Sequence, residues 1–130
     1  MSNLPSGQDI HNSYGLIVDS IFGFSYKPPL RPQFAEILKT LVDAGKLGTK
    51  IVSVDIPSGW HVENGPPKDD TPILEPDCLV SLTAPKLCAN YFTGKFHWLG
   101  GRFVPPSLSS KYQLNLPSYN DTEQCVFIHI

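Results

Sequence analysis

The sequence predicts an α/β fold built on a mostly parallel sheet, and three observations carry that expectation. Two short apolar runs, Tyr14–Asp19 and Ile51–Asp55, each close on an aspartate. Between them Phe34, Ile37, Leu38, Leu41 and Val42 recur at steps of three and four, the spacing of one helix face. A third run, Cys78–Thr83, repeats the strand pattern downstream. A strand, a helix and a second strand of the same kind form a βαβ unit, which places the strands parallel.

Taken in order, residues 1–13 are polar and turn-rich and read as a flexible arm. Tyr14–Asp19 is nearly continuous in apolar residues, the pattern of a strand buried on both faces. After the loop Ser20–Leu30, Pro32 suits a first helical turn and Gly45 the residue just past a helix end. Ile51–Asp55 is β-branched and closes the unit. The stretch Ile56–Pro76 holds five of the 13 prolines and reads as a long surface excursion. Cys78–Thr83 follows as a third buried strand, then a short helix near Pro85–Asn90 and a strand around Phe96–Leu99. Beyond Gly100 and Gly101, short extended pieces alternate with Pro105, Pro106 and Pro117, and Cys125–Ile130 reads as an edge strand.

Composition narrows the function classes. With 130 residues, 41% of them hydrophobic and 11% aromatic, the chain has room for one domain and one core. Lys and Arg number 10 against 12 Asp and Glu, so no basic stripe is available to neutralise phosphates, and nucleic acid is excluded as a partner. No apolar run reaches the roughly 18 to 20 residues that span a bilayer, so no transmembrane segment is expected. Residues 1–15 show neither a signal peptide nor an Arg-rich transit peptide, so no targeting segment is expected in this chain. Cys78, Cys88 and Cys125 form no Cys-x-x-Cys pair and read as buried thiols in a reducing compartment.

In a parallel sheet with crossovers, ligands bind beyond the carboxyl ends of the strands. That edge receives Asp19, Asp55 and Thr83, with the loops Gly23–Pro29 and Ile56–Gly59 rising from the same side. One strand-end aspartate often only caps a turn; two at equivalent places in one βαβ unit point to a site. Asp55-Ile56-Pro57-Ser58-Gly59-Trp60 combines a carboxylate, a fixed φ, a hydroxyl and a permissive glycine. Such oxygens suit a hard cation or a sugar or ring hydroxyl, with a turn that binds nothing as the alternative. Gly23-Phe24-Ser25-Tyr26-Lys27 places a glycine and a lysine where phosphate oxygens could approach, although a tight turn with a solvated Lys27 fits equally. Ser25 and Ser58 lack the Gly-x-Ser-x-Gly elbow of a hydrolase, and His61 and His97 lack zinc-ligand spacing.

Four ordered motifs resemble one family. Val18-Asp19-Ser20-Ile21-Phe22-Gly23-Phe24-Ser25, Val54-Asp55-Ile56-Pro57-Ser58-Gly59-Trp60, Ser81-Leu82-Thr83-Ala84-Pro85-Lys86 and Gly100-Gly101-Arg102-Phe103-Val104-Pro105 look like the NAD(P)H-hydrate epimerase family, the YjeF N-terminal domain family. The resemblance runs from about residue 14 to the C-terminus and implies a Rossmann-like three-layer α/β sandwich, of which residues 14–130 would be the C-terminal portion. It implies epimerisation of the R and S forms of the hydrates NADHX and NADPHX at the hydroxyl-bearing carbon of the nicotinamide ring. It also implies a potassium ion held by Asp19 and Ser58. Gly23, Phe24, Ser25, Tyr26, Lys27, Pro28 and Pro29 would contact the substrate, and Asp55 would touch it; the chemistry of a carboxylate so placed leads to the expectation that Asp55 acts as general acid and base. A homodimer and a cytoplasmic or mitochondrial location belong to the same implication. The alternative within the family is a non-catalytic interaction protein, a partner of an apolipoprotein in lipid efflux, or an inactive truncated isoform. The chain departs from the pattern twice. Nothing in residues 1–18 resembles the family's Asn-Gly-Gly-Asp-Gly-like loop with its further potassium and phosphate contacts, and Pro28 stands where a glycine is usual.

Overall fold

The computed structural model describes residues 3–128. Its elements in chain order are α1 (Gly7–Ser13), β1 (Leu16–Asp19), α2 (Pro32–Lys46), β2 (Lys50–Val54), β3 (Cys78–Leu82), a 3-10 helix (Leu87–Tyr91), β4 (Phe96–Gly100), α3 (Pro106–Lys111) and β5 (Cys125–Phe127). The five strands form one sheet in the order β1-β2-β3-β4-β5. The first four run parallel and β5 pairs antiparallel with β4. This is the α/β class that the βαβ pattern predicts. The expected final strand ends at Phe127, and its His129 and Ile130 lie outside the described residues.

Four expectations are corrected. The first concerns residues 1–13, of which 1 and 2 lie outside the described residues. Gly7–Ser13 form a helix and not an arm, because Ser6 Oγ accepts the Asp9 N–H at 3.1 Å while the Asp9 carboxylate accepts the Ser6 N–H at 3.0 Å. That reciprocal cap satisfies backbone donors a short helix otherwise leaves bare. Ile10 then packs with Leu38, Val42 and Ala44 of α2, and His11 Nδ1 meets Thr49 Oγ1 at 2.9 Å.

The second concerns burial of the strands. In β1 Ile17 is 9% exposed but Val18 is 60% exposed, so the strand alternates. Ile17, Ile51, Ser53, Leu79, Ser81, His97 and Leu99 are buried on one face, where Ile17 and Ile51 pack with α1 and α2, and Leu79 and His97 pack with Ala89 and Phe92 around the 3-10 helix. Leu16, Val18, Phe96 and Trp98 stand on the other face in contact with solvent.

The third concerns Ile56–Pro76. It is anchored in the interior, since Ile56, Pro57, Ser58, Trp60 and Leu74 are all buried and Trp60 Nε1 donates to the Leu74 carbonyl at 2.9 Å. Leu74 joins the same core as Ile17 and Ile51. Burying side chains of this size stabilises by roughly 1.5–3 kcal/mol each, which holds the long connection down.

The helix boundary also shifts. Gly45 lies inside α2, where a Cβ would stand 2.8 Å from Ile51 Cδ1, and Gly48 takes the left-handed turn after the helix at φ 109°. The expected terminal glycine instead lets α2 approach β2 closely.

Candidate functional site

The carboxyl ends of β1, β2 and β3 deliver the polar groups that the sequence places there. Register sets Asp19 opposite Ser53 on the covered face, and Ser53 Oγ donates to Asp19 Oδ2 at 2.7 Å. The turn after β2 carries Ser58 back beneath them. Its backbone N–H donates to Asp19 Oδ2 at 2.9 Å and its hydroxyl to Asp19 Oδ1 at 2.5 Å. Asp19 is 1% exposed and Ser58 fully buried. Ser58 Oγ also accepts the Phe22 N–H at 3.3 Å, which ties the loop after β1 to the same cluster. Three donors converging on one buried carboxylate compensate its desolvation.

Asp55 sits one layer outward. It leaves β2 in the left-handed region at φ 72°, a conformation that non-glycine residues adopt mainly where surrounding contacts enforce it. Its Oδ2 accepts the Phe24 N–H at 2.9 Å. Lys86 Nζ lies 2.8 Å from Oδ1 as an ion pair, approaching outside hydrogen-bonding directions, so Oδ1 has no hydrogen bond among the described residues. Thr83 at the end of β3 is left-handed as well, at φ 65°, with its N–H bonded to the Gly100 carbonyl at 2.9 Å.

A cavity of about 450 Å³ opens here, lined by Ser20, Phe22, Gly23, Phe24, Val54, Asp55, Leu82, Thr83, Lys86 and Phe103. Its floor is polar at Asp55, Lys86 and Thr83 and its walls are aromatic, an arrangement suited to a flat ring carrying a hydroxyl. At the rim, a Cβ on Gly23 would stand 3.3 Å from Asp55 Oδ2 and press on that carboxylate.

The loop Gly23–Pro29 is divided among three hollows. Gly23 and Phe24 share the cavity of Asp55, whereas Ser25, Tyr26, Lys27 and Pro29 line a second cavity of about 420 Å³ with Phe34. Pro28 lines a third, of about 220 Å³, with Tyr26 and His61. The Phe22 and Tyr26 rings stack at 4.7 Å and Phe22 meets Phe34 edge-on at 5.0 Å, which fixes the loop against α2. Burial, reinforced by Asp69, pushes the Tyr26 hydroxyl above its ordinary pKa. Lys27 is exposed.

Asp19 and Ser58 line none of these hollows. A carboxylate oxygen and a hydroxyl are hard donors of the kind an alkali cation takes, and here Ser58 Oγ donates to Asp19 Oδ1 at 2.5 Å. No group of three or more His, Cys, Asp or Glu that would hold a metal is present among the described residues.

Sequence reasoning did not assign roles to Lys86, Ser53 or Phe103. Ser53 was open to detection, because alternation in β2 puts a serine on the face of Ile51. The remaining polar core groups are structural in character. His97 Nε2 and Ser81 Oγ are 2.8 Å apart, and burial pushes the His97 imidazole below its ordinary pKa. Burial, followed by the charge of Asp55, pushes the Cys88 thiol up to about 11, so it stays protonated. His61 Nδ1 accepts the N–H groups of Glu63 and Asn64 in a local turn. No helix among the described residues is long and apolar enough to cross a membrane.

Known proteins share this framework. The model of the family described as YjeF-related protein N-terminus matches residues 2–88, so the match begins within the segment that reads as an arm from sequence. An NAD(P)H-hydrate epimerase of Aedes aegypti is 56% identical over 115 residues, covering 88% of this chain and 47% of that protein. The crystal structure of a yeast protein superposes with a TM-score of 0.79 at 38% identity, covering 91% of this chain and 48% of the yeast chain. The chain spans about half the length of the relatives it matches. With a yeast structure superposing on this mostly parallel sheet and the family model covering more than half of the sequence, the chain belongs to the YjeF-related protein N-terminus family.

Proposed function

We propose that this chain takes part in epimerising the hydrates of NADH and NADPH, with the 450 Å³ cavity as the seat of the damaged nicotinamide ring. The observation that carries the reading is the identity of 56% to an NAD(P)H-hydrate epimerase, in a chain whose Asp55 faces an aromatic-walled cavity.

In the reaction we infer, a proton relayed through Asp55 reaches the ring hydroxyl as the carbon–oxygen bond breaks. Water leaves, and the ring nitrogen lone pair satisfies the carbon, forming an iminium. Water then adds from the opposite face, and the Asp55 carboxylate takes the proton back, so that atoms and charge balance over the cycle. Phe24 and Phe103 would flank the ring and keep bulk water out, and the Phe24 N–H would hold one carboxylate oxygen still. Ser25, Tyr26, Lys27, Pro28 and Pro29 would meet more distant parts of the dinucleotide in the neighbouring hollows. A potassium ion held by Asp19 and Ser58 would supply positive charge beneath this edge of the sheet.

The test follows interconversion of the two NADHX epimers, with and without potassium, by this chain and by the protein as isolated from its native source. Asp55→Asn in whichever form is active is expected to lower the rate by at least about 100-fold, the usual scale for a proton-transfer group. Unchanged activity in that variant would remove the acid–base role.

A further inference from the structure

We propose that Lys86 is a positioning residue for Asp55: its ammonium group fixes the rotamer of the carboxylate and the loop at Phe24, and it does not itself hand a proton to substrate. The inference rests on the reading of Asp55 given above, and adds the group that makes a single aspartate geometrically competent.

Lys86 reaches three oxygen atoms at once. Its Nζ lies 2.8 Å from Asp55 Oδ1, donates to the Leu82 carbonyl at 2.8 Å and reaches the Ala84 carbonyl at 3.2 Å. Three protein oxygens thus surround an ammonium group that carries three N–H bonds. These contacts hold the ammonium group beside the carboxylate at the floor of the cavity, so the lysine holds position while proton exchange is assigned to the carboxylate.

The chain is bent so that this contact forms. Ala84 N–H donates to the Leu82 carbonyl at 2.7 Å and Thr83 is held left-handed at φ 65°, turning the backbone after β3 toward the end of β2. A β-branched residue in that region is strained, and the strain persists because neighbouring contacts impose it. The lysine side chain is 21% exposed and that of Asp55 9% exposed. The Nζ also lies 5.9 Å from the centroid of the Phe24 ring, on the loop whose backbone N–H bonds the other oxygen of Asp55. One cation therefore links the ends of β2 and β3 with the rim of the cavity. A neutral side chain at position 86 leaves a nearly buried carboxylate without its counter-charge, and the carboxylate turns toward other donors.

Two readouts separate this proposal from the one it rests on. The first needs no activity. In the 130-residue chain, the amide proton of Phe24 reports its hydrogen bond to Asp55. Lys86→Met is expected to shift it upfield as the carboxylate turns away, while Lys86→Arg keeps it near its original position. The second is steady-state epimerase kinetics, measured in a form of the protein that is active. Lys86→Met is expected to lower kcat by about 100-fold with KM changed less than about threefold, the signature of lost transition-state stabilisation. Lys86→Arg is expected to recover at least a tenth of the original kcat. An unmoved Phe24 amide or an unchanged kcat in Lys86→Met overturns the proposal. A loss confined to KM also overturns it, by making Lys86 a substrate contact. Full activity of Asp55→Asn instead sinks the acid–base reading, and the positioning of Asp55 is then decided by the Phe24 amide alone.

Discussion

Replacing Asp19 tests whether the buried carboxylate is the hub that the geometry makes it. It accepts three hydrogen bonds, from Ser53 Oγ, Ser58 N–H and Ser58 Oγ, at 1% exposure. Hydrogen bonds to a charged group contribute roughly 1.5–3 kcal/mol each, and a donor left unpaired in the interior costs about 1–3 kcal/mol. Asparagine keeps one oxygen and will place it at the Oδ2 position, where two donors meet, so only the bond from the Ser58 hydroxyl is lost. Asp19→Asn is therefore expected to destabilise by about 2 kcal/mol. Asp19→Ala strands all three donors and is expected to cost about 4–5 kcal/mol, near the value for breaking a buried charged network. Urea unfolding followed by tryptophan fluorescence suits the measurement, because Trp60 is 2% exposed and becomes wet on unfolding. If the two variants fall within about 0.5 kcal/mol of the parent, as surface substitutions do, the hub argument is refuted. The same titration examines the proposed potassium site. Potassium at about a hundred times its dissociation constant would add about 2.7 kcal/mol to the parent and nothing to Asp19→Ala.

Two further predictions concern the scaffold. His97 is neutral and buried with a lowered pKa, against an ordinary value of 6.5, so the unfolded chain binds its proton more readily than the folded one. Its contribution is complete above that ordinary value and is lost as pH falls from there toward the folded value. Urea midpoints should therefore drop between about pH 7.5 and 5.5, with a weaker drop in His97→Asn; equal drops would refute the assignment. Gly59 has φ 88°, and a Cβ there would lie 2.8 Å from Cδ2 of the buried Leu38. Gly59→Ala is expected to lose about 2–5 kcal/mol from strain and overpacking, whereas Gly15→Ala, with open space around it, should fall within about 0.5 kcal/mol of the parent in the same assay.

The parts of this structure legible in the sequence are those governed by local pattern. The apolar runs gave β1, β2 and β3 to within a residue or two, and the aspartates closing the first two runs led to Asp19 and Asp55 without any knowledge of relatives. Long-range packing was not legible. Gly45 carries the mark of a helix end, yet Ile51 comes from β2 to use its missing side chain. Ser6 and Asp9 form a cap that uses Asp where Glu or Gln is the familiar signal, so α1 passes for an arm. Prolines between Ile56 and Pro76 announce a loop and conceal that Trp60 and Leu74 pin it inside. Lys86 lies within a motif, but nothing in its spacing reveals that the turn at Thr83 brings it to Asp55. Family resemblance assigns the stretch from Gly23 to Pro29 one role, whereas the structure parts it among separate hollows.

The one-sided covering of the sheet has a thermal consequence. Leu16, Val18, Phe96 and Trp98 are hydrated in the native fold, so unfolding transfers less new apolar surface to water than a chain of 130 residues ordinarily would. The heat capacity increment of unfolding should then fall below the usual figure of about 12–15 cal/mol/K per residue. A smaller increment flattens the curve of stability against temperature, which makes this fold less sensitive to cooling than its size suggests.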